Sequence, residues 1–331
     1  MDGSLIIDKP AGITSHDVVA RVRRALEIRR VGHAGTLDPF ATGVLLVCVG
    51  RATRLTQYLS GLNKEYLAVV RLGFATDTQD LTGTRISELA DVRGLTGEKV
   101  RSVLAEFTGD QEQIPPMFSA KQIDGQRLYK LARAGKTIDR KPIQIRIHSM
   151  DPIESEGSLL RPNQDGTADF TLLVKCSSGA YIRTLAHDIG ERLGCGGHLA
   201  SLRRTAVGAF TIERSVPLEE FELRAARGEA GSFLIAPSET IGHLPGLTLN
   251  EDEVARVKNG RDLVFDASRM REVFVRVRDE RGEQAEACTL NSRMRDAFVR
   301  LCDGAGGLVA VGEVGDDGQT VRPRTVLAAG D

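Results

Sequence analysis

Six consecutive apolar residues, Val44-Leu-Leu-Val-Cys-Val49, follow directly on Gly32-His-Ala-Gly-Thr-Leu-Asp-Pro-Phe-Ala-Thr-Gly43, and this pair of stretches constrains the fold more than any other. The apolar run reads as a buried strand. The twelve residues before it hold three glycines (Gly32, Gly35, Gly43) and Pro39, which make neither a good helix nor a good central strand. They read as a shaped loop feeding that strand. The loop carries one histidine, His33, and one carboxylate, Asp38. Asp38 could cap a tight turn through backbone hydrogen bonds. A loop held against a rigid strand is also a common place for chemistry. On residue types alone, both readings stand.

A length of 331 residues suggests two domains. Val44–Val49 is the longest apolar run, far short of the ~18–20 residues that cross a membrane. The first ten residues lack a basic segment followed by an apolar core, so a signal peptide is not expected. Five scattered cysteines form no Cys-x-x-Cys pair, which argues against structural zinc and for the reducing cytoplasm. A net charge of −1 gives no global signal for nucleic acid, so any such signal must be local.

Along the chain, Leu5–Asp8 reads as a short strand. Thr14 and Asp17 resemble a capping box, and Val18, Val19, Val22 and Leu26 follow at helical spacing. Arg21, Arg23, Arg24, Arg29 and Arg30 crowd this helix and its exit, as a solvated face or a phosphate-facing edge. Lys64–Leu72 is a strand with Tyr66 near its start, and Thr76–Gly83 is a polar turn. Val100, Val103, Leu104 and Phe107 mark a helix. Residues 110–141 differ in character. Ile114–Lys121 is extended, and Gly125 and Gly135 bracket a short helix that carries Arg127, Lys130 and Arg133. That segment is either a solvated helix or an arm that grips phosphates. Ile143, Ile145 and Ile147 alternate as a strand, Phe170–Cys176 is another, and Ile182, Leu185, Ile189 and Leu193 define a helix that stops at Gly194. Pro237–Pro245 reads as a linker between a unit at 1–237 and a small, mainly β unit at 245–331. In the latter, Asn250 and Glu253 form a capping box, and Val273, Val275 and Val277 alternate as a strand.

Phosphate-loop, dinucleotide, serine-hydrolase and zinc-protease signatures are absent. Asp38, Tyr66 and Arg183 remain, each at the edge of a strand or helix. An arginine can keep an aspartate ionised and oriented through a bidentate pair. A tyrosine offers a face for stacking and a hydroxyl for proton transfer. Singly, each is also an ordinary structural residue.

The stretch Gly32–Leu45 closely resembles the catalytic segment of the TruB family of tRNA pseudouridine synthases. Further blocks of that family stand in the same order: Leu5-Ile-Ile-Asp-Lys-Pro-x-Gly12, Lys64-Glu-Tyr66, Thr76-Asp-Thr-x-Asp80 and Ile114-Pro-Pro-Met-Phe-Ser-Ala120. Gly125-x-Arg-Leu-Tyr129, Gly179-Ala-Tyr-Ile-Arg-Thr184 and Leu202-Arg-Arg-Thr205 complete the set. The resemblance implies isomerisation of uridine to pseudouridine at position 55 in the tRNA T-loop, on a base flipped out of its stack. It implies Asp38 as nucleophile, Arg183 as its partner, and Tyr66 stacked on the uracil and moving a proton. His33, Tyr181, Leu202 and Lys9 would bind substrate. Arg127, Lys130 and Arg133 would hold RNA backbone from a thumb at 110–141, and the C-terminal unit would be a PUA-like domain. The implied fold is α+β, a mixed and largely antiparallel sheet flanked by helices. The reaction is redox-neutral, so no cofactor or metal is expected, and the enzyme is expected to be a monomer acting on tRNA without a guide RNA or obligatory protein partner. Two other readings stay open: a catalytically silent RNA-binding protein, and a guide-RNA-dependent relative.

Overall fold

The computed structural model describes residues 1–118, 122–123, 126–127, 138–273 and 297–327. Its main body is one mixed sheet of eleven strands. In chain order these are β1 (Gly3–Lys9), β2 (Val31–Ala34), β3 (Thr42–Val49), β4 (Lys64–Leu72) and β5 (Gly109–Gln113). A two-stranded hairpin, β6 (Gln122–Ile123) and β7 (Gln126–Arg127), stands apart from the sheet. The sheet continues with β8 (Ile143–Ile153), β9 (Arg161–Pro162), β10 (Ala168–Cys176), β11 (Gly197–Val207), β12 (Phe210–Thr211) and β13 (Val216–Pro217). Across it the order is β13-β1-β3-β11-β4-β10-β8-β5. Only β1–β13 and β3–β11 pair in parallel. The fold is thus the expected mixed, largely antiparallel sheet with helices.

Strand β3 shows why its sequence lacks polar alternation. Val44, Leu46 and Cys48 enter one apolar cluster with Ile6, Ala52, Leu55 and Leu59. Leu45, Val47 and Val49 enter another on the opposite face, with Leu5, Ile7, Val18, Val22 and Phe221. A strand covered on both faces reads as a continuous apolar run. By contrast, β4 alternates strictly between buried and half-buried residues. Its buried set, Tyr66, Ala68, Val70 and Leu72, joins a third cluster under the helices Gly97–Glu106 and Ile182–Leu193.

Several local expectations hold. Thr14 and Asp17 form a full capping box on the helix Ser15–Leu26. Asn250 and Glu253 do the same on Glu251–Lys258. Gly194 ends the helix Ile182–Leu193 with φ of 78°.

Others are corrected. Gly32 and His33 lie in β2, paired with Cys48 and Val47, so the shaped loop is confined to residues 35–41. Gly32 lies on a strand that pairs only with β3, where a residue without a side chain costs little packing. Pro237–Pro245 is no loose linker. Pro237–Thr240 is a helical turn, Thr240 and Ile241 are fully buried, and the Thr240 hydroxyl donates to Ser4 Oγ at 3.0 Å. Val273 lies in a helix at 267–273, whose first turn is capped by Asp266 Oδ1 accepting from Arg269 N at 2.8 Å. A valine alternation was the wrong guide there, and Val275 and Val277 lie outside the described residues. Of the helix expected between Gly125 and Gly135, residues 126–127 are in strand β7, paired with β6; the rest, with Lys130 and Arg133, lies outside the described residues.

A second sheet closes the chain: β14 (Gly246–Thr248), β15 (Leu263–Val264), β16 (Phe298–Cys302), β17 (Leu308–Val314) and β18 (Thr320–Val326), with its own apolar cluster. It docks on the segment that leaves β3. Arg51 Nη1 donates to Leu327 O at 2.7 Å, Arg54 Nη1 to Val326 O at 2.5 Å, and Tyr58 packs edge-on against Phe298. No helix among the described residues is long and apolar enough to cross a membrane.

Gly43 and Gly109 offer a matched pair for testing the β3–β11 junction. Their φ angles are +102° and +103°, but a Cβ on Gly43 would stand 2.2 Å from the Arg204 carbonyl oxygen, whereas one on Gly109 meets nothing within 4 Å. Gly109→Ala should therefore cost only the left-handed backbone penalty, about 1–2 kcal/mol. Gly43→Ala should cost clearly more, because the clash adds to that penalty. Equal costs in urea unfolding would show that the close approach carries no energy.

Candidate active site

The loop at 35–41 is held from three sides. Lys9 Nζ donates to Pro10 O, Pro39 O and Ala41 O at 2.8, 3.2 and 2.7 Å. Ser15 Oγ accepts from Leu37 N at 2.9 Å, and Gly12 N donates to Pro39 O at 2.8 Å. Arg204, 1% exposed, donates from Nε to Val44 O at 2.7 Å, from Nη1 to Thr36 O at 3.3 Å and from Nη2 to Gly35 O at 3.1 Å. Loop carbonyls that no ladder satisfies thus find cationic donors, which is what allows a glycine-rich loop to sit against a buried strand.

With its backbone so held, the loop leaves the Asp38 carboxylate for another partner. Arg183 Nε stands 2.8 Å from Asp38 Oδ2, and its Nη2 donates to Oδ1 at 3.3 Å, a two-pronged pair. The local-cap reading of Asp38 gives way: among the described residues its side-chain partner is an arginine 145 residues away. Arg183 lies in the first turn of the helix Ile182–Leu193, directly after the cleft wall formed by Ser177–Tyr181. Its remaining donors go to Thr78 O at 3.0 Å, Phe118 O at 2.7 Å and Asp80 Oδ2 at 3.5 Å. Asp80 itself is fixed by Thr78 Oγ1, Thr82 N and Thr82 Oγ1 at 2.6–2.9 Å. The guanidinium therefore lies between two carboxylates.

Asp38 and Arg183 line a cavity of about 290 Å³ together with Ser60, Lys64, Tyr66, Gly179, Tyr181, Leu202 and Arg204, and Asp80 stands behind that wall. Asp38, Tyr66, Arg183, Tyr181 and Leu202 are thus brought together, as expected. Two expected residues are placed elsewhere. Lys9 is fully buried behind the loop, where its ammonium clamps three backbone carbonyls, and it does not line the cavity. His33 lies half-buried on β2 and does not line the cavity. The side chains of Arg127, Lys130 and Arg133 lie outside the described residues. Of the arginine-rich N-terminal helix, Arg21 is bound in an ion pair with Glu222, and Arg24, Arg29 and Arg30 remain exposed.

Sequence reasoning passed over Asp80, Lys64 and Arg204. Asp80 was hidden in a polar turn, where an aspartate is ordinary; its signal was the company of four threonines, Thr76, Thr78, Thr82 and Thr84, within four residues. Arg204 was hidden because residues 197–207 lack a clear alternation, so no strand was expected to bury it.

Electrostatically, the described lining opposes one carboxylate, Asp38, with three cations, Lys64, Arg183 and Arg204. Burial pushes the Asp38 carboxyl above the usual carboxylate range; Arg183 opposes this and Asp80 adds to it. Burial brings the Lys64 ammonium down to about 8, with Arg204 adding to the effect. Burial also raises the Tyr66 phenol, so that group is a neutral hydroxyl at neutral pH. A cleft with a cationic wall, an anchored carboxylate and a neutral phenol can take a polyanionic substrate and act on a flat polar ring.

A profile described as "TruB family pseudouridylate synthase (N terminal domain)" matches residues 23–182, and one described as "tRNA pseudouridylate synthase B C-terminal domain" matches residues 183–241. The chain is 46% identical over 260 residues to the tRNA pseudouridine synthase B of Geobacter sulfurreducens, covering 78% of this chain and 82% of that protein. It is 42% identical over 260 residues to the protein of the same name from Geobacillus thermodenitrificans, covering 78% and 85%. Among solved structures, a chain of a Cbf5–Nop10–Gar1 complex superposes with a TM-score of 0.69 at 25% identity, over 98% of this chain and 85% of that one. A chain of an H/ACA RNP bound to a substrate RNA containing 2'-deoxyuridine does so with a TM-score of 0.69 at 24% identity, over 99% and 85%.

Arg204→Met would take the donor from the buried Val44 carbonyl and from the part-buried contacts to Gly35 and Thr36, and should cost about 2–5 kcal/mol in urea unfolding. Arg203→Met, on the same strand, loses a partly exposed ion pair with Asp8 and should cost about 1 kcal/mol or less. A larger loss at Arg203 than at Arg204 would overturn the role assigned to the buried guanidinium.

Proposed function

Because this chain belongs to the TruB family of pseudouridylate synthases, we propose that it converts uridine to pseudouridine at position 55 in the tRNA T-loop, with Asp38 as nucleophile. The observation that carries this reading is the two-pronged Arg183–Asp38 pair in a cationic cleft that Tyr66 also lines.

The reaction breaks the glycosidic N1–C1′ bond, turns the uracil and forms a C5–C1′ bond; the C5 proton leaves and the freed N1 takes one up. Nothing is consumed. The C5 edge of a stacked uracil is out of reach, so the base is flipped out at a cost of a few kcal/mol. Stacking on the Tyr66 ring offsets about 1–3 kcal/mol of this. Tyr181 and Leu202 form the sides of the pocket. Arg183 keeps Asp38 anionic and aimed, which a nucleophile or a group that draws off the base requires. Tyr66, as a neutral phenol, takes part in moving the C5 proton. The segment 110–141 acts as a thumb on the T-stem, with Arg127, Lys130 and Arg133 on phosphates, and His33 supports the opened loop. Residues 1–237 form the catalytic domain and 245–331 a PUA-like domain for the acceptor end. The protein works in the cytoplasm as a monomer on bare tRNA.

The fold likeness to a chain of an H/ACA RNP favours one second reading, a dependence on guide RNA and partner proteins. Pseudouridine formation on bare tRNA by the purified chain decides between them; activity only with added guide RNA and proteins would reject the stand-alone reading.

Two outcomes test the chemistry. Asp38→Asn should reduce pseudouridine formation on a T-stem-loop by at least about 10⁴-fold, as expected for loss of an essential nucleophile. Retained activity would remove Asp38 from the mechanism. The reactive form is the carboxylate, whose proton affinity is raised in the fold. Single-turnover rates should therefore fall as pH drops through a midpoint above 3.8, the ordinary aspartate value. A rate that stays constant down to pH 3.8 with the protein still folded would contradict this.

A further inference from the structure

The helix that presents Arg183 has no cap of its own: Tyr181 is its N-cap residue, and no side chain of that segment bonds the helix start. The stretch before it, Ser177–Ala180, is irregular and includes Gly179 at φ +86°. Yet this stretch forms one wall of the cleft. Its start is tied to β8, where Ser177 N donates to Arg146 O at 2.8 Å and Ser177 Oγ accepts from Arg146 N at 2.9 Å; its far end, at Tyr181, is held from 68 residues away. Gln113, the last residue of β5 and 4% exposed, accepts from Tyr181 N at 2.7 Å and donates through Nε2 to Tyr181 O at 3.0 Å. Its amide thus grips both polar groups of one residue's backbone, as a neighbouring strand would.

We propose that Gln113 is a positioning residue for this reaction: by fixing the Tyr181 backbone it sets the aim of Arg183 on Asp38. This rests on the functional reading above. A buried glutamine with both amide groups used is costly to misplace, since either an unpaired N–H or an unpaired carbonyl results. Its neighbours in sequence do nothing similar. Glu112 faces solvent and accepts from Gln144. Gln113 is not in contact with the cavity, so its influence passes through the peptide at 181 and the first helical turn. Two residues further along that turn, Arg183 delivers its Nε to Asp38.

The test compares wild type, Gln113→Met, Gln113→Asn and, as the same change at an exposed glutamine outside the thumb, Gln144→Met. Gln113→Met keeps the length and loses both bonds; Gln113→Asn keeps the amide but withdraws it by one methylene, and is retained in case the first does not fold. Two quantities are read: the single-turnover rate on a T-stem-loop RNA with its dissociation constant, and the titration of the Asp38 carboxyl by 13C NMR of aspartate-labelled protein, assigned with Asp38→Asn. The Gln113 variants should lose at least tenfold in rate with RNA affinity within threefold, and the Asp38 midpoint should move to higher pH as Arg183 loosens. Gln144→Met should match wild type in both. An unmoved Asp38 titration in folded Gln113 variants overturns the inference, whatever happens to the rate, because a purely structural role would lower thermal stability without touching that carboxyl. A wild-type protein that makes no pseudouridine, but whose Asp38 midpoint still shifts in the variants, rejects the functional reading and leaves the positioning role standing.

Discussion

The Arg204 guanidinium is the interaction on which the rest of this structure hangs. It enters the sheet from β11, is almost wholly buried, and spends its donors on the carbonyls of Gly35, Thr36 and Val44. Those three oxygens belong to the start of the active loop and the start of β3. The loop is rich in glycine and has no ladder partners of its own, so its shape is set from outside. A cation meets this need better than a neutral donor, since its hydrogen bonds to carbonyl oxygen are about twice as strong. The same need explains Lys9 on the other side of the loop. Two buried cations without an acid partner would be costly in an apolar core; here they are solvated by main-chain oxygen.

Charge is then handled differently one layer further in. Arg183 sits between Asp38 and Asp80, and only Asp80 is saturated by hydroxyls and a backbone amide. The carboxylate meant to stay put is the one with many donors. The one left with little besides its arginine faces the cleft, with its side chain 33% exposed. This asymmetry separates a saturated carboxylate from an available one without any difference in residue type.

How much of this could be read from the sequence depends on how local each cause is. The caps at Thr14 and Asn250 lie within four residues of their partners, and they were legible. So were β4 and the helix Ile182–Leu193, whose periodicities are strong. The meeting of Asp38, Tyr66 and Arg183 was legible only through the likeness of their motifs to one family, since no spacing rule links positions so far apart. What escaped has non-local causes. Strand β11 earns its place by filling the gap between β3 and β4, and its own alternation is broken by two register shifts. Lys9 carries a charge that looked available to a ligand, yet the fold encloses it. Val273 resembled a strand residue, but the Asp266 cap starts a helix just before it. Pro237–Pro245 looked unanchored because its anchors, Ser4 and Tyr58, lie more than 180 residues away.

The strand order also sets a timetable for the growing chain. Strand β4 follows β3 in the sequence, but β11 lies between them in the sheet. The two halves of the sheet therefore cannot be zipped together while the chain is still short of residue 207. At about 5–20 residues per second, synthesis of that stretch leaves the β11 edge of β4, and the Thr42–Gly43 end of β3 that β2 does not reach, unpaired for several seconds or longer. The Asp38 loop stays without its Arg204 grip for the same interval. A nascent chain of this kind has the Asp38 loop long before it has the cleft that the loop lines. It depends on whatever shields those two edges until the late strand arrives.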